Sequence, residues 1–278
     1  MRRGQQAKNL LKRGIRAAIV GTSPLFPSPG STASRILTYH SIGHRRYEMN
    51  VTPEAFAEQM AWLAAKHRVI TLEAAAEGAP GVAITFDDGY ADNLVNALPI
   101  LEHHKLPATI FVVSGHLGQS RPGEKEPETG RIMTPEELRE IHRRGVAIGA
   151  HTVNHPHLAA LTPVEQAREI QESKRTLEEI LGKPVPAFAY PYGSALDFTE
   201  QTERLVAEAG YSFACANQYG HNSPPRNRWA LRRIWIDSTD SLRSFQDKVN
   251  GRLDAMAWQD SGLGIRLRRL LNRGFGTT

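Results

Sequence analysis

The chain reads as an α/β protein, a parallel sheet flanked by helices and closed most simply as a barrel, in one catalytic domain. Three observations carry this reading. Short β-rich runs that are apolar on both faces, as buried parallel strands are, alternate with helical patterns about seven times. Thr-Pro pairs announce several of the helices, because a threonine hydroxyl caps a helix whose first position proline fills without losing a needed donor. The 278 residues also suit a barrel of alternating strands and helices, which commonly runs to about 250 residues as one domain.

In chain order, residues 1–33 form a basic leader that ends in a Pro/Ser/Gly linker (Pro24, Pro27, Ser28, Pro29, Gly30, Ser31). The catalytic domain is expected over 34–245. Its strands are expected at 35–39, 69–71, 82–86, 108–113, 146–149, 187–190, 212–215 and 229–235. Helices are expected near 53–66, 135–144, 163–181 and 199–209, after Thr52-Pro53, Thr134-Pro135 and Thr162-Pro163 in the first three cases. Glu137 and Glu165 complete capping boxes, and Gly210 closes the last helix. Residues 116–133, rich in Gly, Glu, Pro and Arg, read as a loop at the barrel mouth, and 246–278 as a basic helical tail.

Composition narrows the function classes. Apolar content of 40% and charged content of 23% are near globular averages, so neither disorder nor a membrane bundle is indicated. A single cysteine, Cys215, removes any disulfide framework or cysteine zinc cluster, and its apolar neighbours suit a buried structural thiol. The formal net charge is +5, but ten basic groups sit at the two ends (Arg2, Arg3, Lys8, Lys12, Arg13, Arg16, Arg266, Arg268, Arg269, Arg273), which leaves the body net acidic. That distribution argues against a nucleic-acid partner. Leu10, Leu11, Ile15 and Ile19 make an apolar stripe beside basic residues, which suits peripheral contact with an anionic membrane surface. With no removable leader evident, the expected location is cytoplasmic, peripheral at the membrane.

The chemistry concentrates in two segments. Asp87 and Asp88 end the strand at 82–86, where barrel enzymes keep their active-site groups. His151 and His155 follow the strand at 146–149, four residues apart, a spacing that suits one metal. Two imidazoles and one carboxylate leave a coordination position open for catalysis, while the second carboxylate handles a proton. His157 crowds nearby and reads as a supporting or surface group.

The segments Thr85-Phe-Asp-Asp-Gly89, His151-Thr-Val-Asn-His155 and Phe188-Ala-Tyr-Pro-Tyr-Gly193 resemble the motifs of the polysaccharide deacetylases, the NodB-homology, chitin-deacetylase-like carbohydrate esterases. The resemblance covers roughly 35–240. It implies a distorted (β/α)7 barrel, a metal held by Asp88, His151 and His155, Asp87 as general base, and the backbone N–H of Tyr192 as an oxyanion donor. The family's last motif ends in the histidine that acts as acid and usually lies near the C-terminus, but no histidine follows His221 here; Leu37-Thr-Tyr-His40 fits it instead. That resembles the circularly permuted deacetylases of exopolysaccharide production and makes His40 the general acid, with His221 and His44 as competitors.

A second departure is Ala189, where many members carry an arginine that orients the base. Arg233, at a later strand end, is expected to supply that guanidinium, with Arg232 facing the opposite way. Trp235, Tyr90 and Tyr192 are candidate sugar-stacking walls. The metal set suits zinc, and cobalt and nickel fit the same ligands. The expected activity is metal-dependent removal of N-acetyl groups from amino sugars of an oligosaccharide, polysaccharide or lipid-linked glycan. The alternatives are a deformylase or other N-acyl hydrolase on a lipid-linked sugar, and an inactive carbohydrate-binding relative.

Overall fold

The computed structural model describes residues 33–45, 48–120, 130–224, 226–260 and 264–265. The basic leader with its apolar stripe and the arginines of 266–278 lie outside the described residues, as does 121–129 of the mouth loop. Among the described residues no helix is long and apolar enough to cross a membrane.

Among the described residues nine strands and seven α-helices follow one another: β1 (Ser34–Tyr39), β2 (Ser41–Ile42), β3 (Asn50–Val51), α1 (Pro53–Lys66), α2 (Leu72–Glu77), β4 (Gly81–Phe86), α3 (Leu98–His104), β5 (Ala108–Val112), α4 (Pro135–Arg143), β6 (Ala147–Ala150), α5 (Pro163–Leu181), β7 (Ala187–Ala189), α6 (Glu200–Glu208), β8 (Phe213–Cys215), β9 (Ile234–Trp235) and α7 (Leu242–Val249). Seven strands form one sheet in the order β8-β7-β6-β5-β4-β1-β9, and every pairing in it is parallel. Leu231, just before β9, bridges to Cys215 of β8, so the two edges of the sheet meet through this short run. The result is the distorted (β/α)7 barrel expected from the motifs.

The strands alternate between two packing environments, as their period of two demands. Leu37, Ile84, Phe86, Ile110, Val112, Ile148 and Phe188 pack in one cluster with helix residues such as Phe56, Met60, Leu138 and Leu177. Ile36, Ala83, Phe111, Ala187, Ala189, Phe213, Cys215 and Leu231 form the other cluster, with Ile70, Leu72 and Ala75; by alternation this is the barrel interior. Small residues dominate it because Phe111 fills the space. A Cβ on Gly149 would lie 2.4 Å from the Phe111 ring, so this strand position takes only glycine.

Several elements depart from the sequence reading. The run 69–71 makes only an isolated bridge, Val69 to Val82, and Thr71 instead caps α2. The helices α2, α3 and α7 were not anticipated, since each is short and none of them starts with a Thr-Pro pair. Within the expected strand 229–235, only Ile234–Trp235 pairs continuously. The boundary drawn at residue 245 falls inside α7, whose Phe245 and Val249 are buried in the core with Leu253. Trp62 of α1 packs edge-on against Phe245, ring centroids 5.8 Å apart.

Beyond α7, Asp254 receives two hydrogen bonds from Arg35 of β1, both at 2.7 Å, and lies 3.6 Å from His221. Burial disfavours its charge, but these partners outweigh burial and hold its carboxyl below the usual range. A depressed folded pKa adds stability above the unfolded carboxylate range, and that share is lost as pH falls through the folded value. Asp254→Asn is therefore expected to be less stable than the wild type near neutral pH, with the gap closing below about pH 4 in urea melts. A gap that does not change with pH would mean that the ion pair does not dock this segment.

Candidate functional site

The register of the sheet gathers the motif residues at one height on one end of the barrel. Tyr39 pairs with Phe86, and the Asp87 amide donates to the Tyr39 carbonyl at 2.9 Å, so His40 and Asp87 leave adjacent strands together. Val112 pairs with Ala150, and the His151 amide donates to the Val112 carbonyl at 3.0 Å. Ala150 in turn pairs with Phe188, which brings the loop carrying Tyr192 alongside. All of these positions lie at the carboxyl ends of parallel strands, the end where barrel sites form.

Asp88, His151 and His155 converge there, each offering one ligand atom within 4.8 Å of the others. Asp88 Oδ1 lies 3.8 Å from His151 Nε2 and 3.5 Å from His155 Nε2. The Nδ1–H of His151 bonds the Ala189 carbonyl at 2.8 Å, which fixes the tautomer that turns the Nε2 lone pair toward the cluster. Burial, partly offset by Asp87 and Asp88, holds His151 below the usual histidine range, so it stays neutral as a ligand must. Two imidazoles and a carboxylate at these separations fit a divalent ion, with zinc, cobalt and nickel all compatible with the donor set.

Asp87, next to this cluster in the chain, is held by Arg233. The guanidinium grips both carboxylate oxygens at 2.7 Å, with both side chains almost fully buried. Burial pushes the Asp87 carboxyl up, but Arg233, with His151 and His40 behind it, outweighs burial and holds it below the usual range. Arg233 is itself located from two sides, donating to the Ala216 carbonyl at 3.0 Å and lying 5.3 Å over the Phe111 ring. Arg232 faces elsewhere, onto the Tyr219 carbonyl. Cys215, buried in the same interior, has its thiol pushed up to about 12 by burial and stands outside the chemistry.

His40 is buried beside Trp235, ring centroids 6.1 Å apart. The two competing histidines lie elsewhere. His221 contacts Asp254, the partner of Arg35 at the start of β1, and neighbouring Asn222 bridges Ser34, so it sits at the opposite end of β1 from His40. His44 is 71% exposed and contacts Glu54.

The candidate sugar-contacting residues divide. Trp235 and Tyr192 are 41% and 46% exposed and offer ring surface to solvent. Tyr192 stacks on His157 with centroids 3.7 Å apart and stands 4.7 Å from His155. Tyr90 is a correction: it is 1% exposed, bridged to Ile132 and covered by the Arg45 guanidinium at 5.0 Å, so it serves as core beneath the mouth loop.

Backbone strain clusters in the site. Among the described residues five non-glycine residues adopt positive φ, and four of them are Asp88 (72°), Thr152 (65°), His155 (58°) and Tyr192 (59°). Such conformations are disfavoured for residues with a Cβ and persist where surrounding contacts enforce them.

Several supporting residues escaped the sequence reading. Asn93 donates to the His40 carbonyl at 2.9 Å. Asp92 accepts from the Ser41 hydroxyl and from the Ile42 amide, so two consecutive residues after the Asp-Asp-Gly turn fasten the His40 segment. Asp197 accepts from His157 at 2.8 Å and from the Ser194 amide at 2.8 Å, tying the Tyr192 loop to the histidine loop. The only sequence signal for these groups is their nearness to motif residues.

Comparison with known proteins agrees with this geometry. The family model described as polysaccharide deacetylase matches residues 74–214. The chain is 29% identical over 219 residues to the Bacillus subtilis protein YxkH, assigned to the polysaccharide deacetylases, covering 76% of this chain and 74% of that protein. It is 25% identical over 179 residues to the poly-beta-1,6-N-acetyl-D-glucosamine N-deacetylase of Staphylococcus aureus, covering 61% of this chain and 59% of the relative. The structure of the Streptococcus pyogenes deacetylase PplD in complex with acetate superposes with a TM-score of 0.68 at 25% identity, covering 78% of this chain and 98% of that one. With the Asp-Asp turn, the paired histidines and the barrel all in place, the chain belongs to the polysaccharide deacetylase family, hydrolases of carbon–nitrogen bonds.

Proposed function

We propose that this protein removes N-acetyl groups from the amino sugars of a glycan, with a divalent metal, zinc in the first instance, held by Asp88, His151 and His155. The observation that carries the reading is the convergence of those three donors beside a carboxylate that Arg233 holds ionised. When bound, the ion supplies Lewis acidity, polarising the acyl carbonyl and making water a better nucleophile. Asp87 takes the proton of that water, and its fixed orientation on Arg233 keeps one carboxylate face toward the site.

In the loop opposite, the N–H groups of Tyr190 and Gly193 bond the Cys215 and Pro191 carbonyls, and Pro191 has none. Tyr192 therefore supplies the N–H that this loop offers to a developing oxyanion. An amine leaves poorly without a proton, and His40, fastened through its carbonyl by Asn93, is the group assigned to deliver it. Exposed Trp235 and Tyr192 give a pyranose ring two surfaces to stack on. The name of the Staphylococcus aureus relative makes a β-1,6-linked N-acetylglucosamine oligomer the first substrate to try.

Acetate release from such oligomers is expected to fall to background after metal removal and in Asp87→Asn, and to return to the stripped wild type with added zinc. Turnover that survives both changes would overturn the assignment, and formate release from an N-formylated analogue in place of acetate would redirect it to a deformylase. His40→Ala is expected to lose about 10²–10⁴-fold on the amide, yet far less on 4-nitrophenyl acetate, whose leaving group departs unprotonated. Equal losses on the two substrates would remove His40 from the acid role. Arg233→Met is expected to cost about 3–5 kcal/mol in urea melts, because it strands a buried carboxylate. Adding Asp87→Asn should recover part of that loss, whereas simple additivity would show that the two groups are not coupled.

A further inference from the structure

Between the two imidazoles, the loop Thr152-Val-Asn-His155 has to turn back through left-handed backbone twice, at Thr152 and His155. Neither residue is glycine, so the conformation is one the isolated segment would leave. Thr152 braces it internally: its hydroxyl donates to the His151 carbonyl at 2.5 Å and accepts from the His155 amide at 3.0 Å. On one side the 3-10 turn after β5 takes the loop carbonyls, with Ser114 N–H on Thr152 at 3.1 Å and Gly115 N–H on Val153 at 2.9 Å.

The other side belongs to Glu169, on the second turn of α5. One carboxylate oxygen accepts from the Val153 and Asn154 amides, both at 2.9 Å, and the other accepts from the Asn154 side chain at 2.6 Å. Three donors from a two-residue stretch converge on one carboxylate, whose helix is anchored by the Thr162–Glu165 capping box. The bound pair Val153-Asn154 is the span that fixes how far apart, and at what angle, His151 and His155 stand.

We propose that Glu169 is a positioning residue for the metal centre: it pre-shapes the 151–155 loop so that the two imidazoles meet Asp88 before any ion arrives. This rests on the metal-binding reading of the site. A group that only stabilised the docking of α5 would change the melting temperature and leave metal affinity alone. A group that shapes the loop moves affinity, because its loss makes the ion organise the ligands on binding.

The test is the zinc dissociation constant of the stripped full-length protein, read by competition with a chromophoric chelator, alongside thermal melts of the metal-free forms. Glu169→Ala is expected to bind zinc about 10-fold more weakly. Glu169→Met, which keeps the stem and the helix propensity but no acceptor, should match it and serves if the alanine form does not fold. Glu169→Gln should stay within about threefold of wild type, since its amide oxygen still accepts both backbone N–H groups and the Asn154 amide can turn to present its own oxygen. Wild-type zinc affinity in the Ala and Met variants would overturn the proposal, whatever happens to their melting points, and so would a Gln variant as weak as Ala. If the wild type itself shows no saturable zinc binding, the metal reading fails first and takes this inference with it.

Discussion

The buried grip of Arg233 on Asp87 is the interaction around which the barrel interior is arranged. A carboxylate taken out of water keeps its charge only if an opposite charge and good hydrogen bonds replace the lost solvation, and here both oxygens are held at 2.7 Å. The guanidinium has to reach the barrel axis to do this, which requires open space beneath the site and a surface to lie on. Ala187, Ala189 and Cys215 keep the interior side chains small, and Phe111 supplies the surface. Phe111 can lie there only because residue 149 has no Cβ. A glycine on β6, an aromatic ring on β5 and an arginine before β9 thus form one chain of dependence that ends at the carboxylate just after β4.

The same logic explains how an alanine at position 189 is compatible with the base role proposed for Asp87. The family's orienting arginine commonly stands at that point, and the need it meets is for a positive charge facing the base. In this barrel the two edges meet through Leu231 and Cys215, so a side chain two residues beyond Leu231 reaches the axis from the seam. The constraint lies on where the charge ends up, and the strand that carries it can change.

Much of the site was legible in the sequence because its chemistry is local in the chain. Asp87 and Asp88 share one strand end, His151 and His155 share one loop, and strand alternation alone separates Arg233 from Arg232, which turns to the Tyr219 carbonyl. What could not be read depends on distant partners. Glu169 looks like any surface charge on an amphipathic helix until the fold brings Val153 and Asn154 over it. Asn93 matters through a carbonyl 53 residues earlier in the chain. Tyr90 was misassigned for the complementary reason: nothing local reveals that the mouth loop returns at Ile132 to cover it. The missed helices α2, α3 and α7 are too short for a convincing period, and tertiary packing, as of Phe245 on Trp62, rather than propensity maintains them.

Rigidity is distributed unevenly among the groups that the proposed reaction needs, and the pattern follows their tasks. Asp87 is held by two bonds to one guanidinium and has no freedom to turn, as suits a base that must meet its proton at a set angle. The metal-facing residues Asp88 and His155 and the oxyanion-side Tyr192 sit in left-handed backbone, where small displacements are resisted by the loops that enforce them. The main chain of His40 is fastened as well, by Asn93 on its carbonyl and by Asp92 on the two residues after it, which locates the strand end, and its ring lies beside Trp235. The groups proposed as base, acid and oxyanion donor follow separate strands, β4, β1 and β7, so each is held by its own set of contacts.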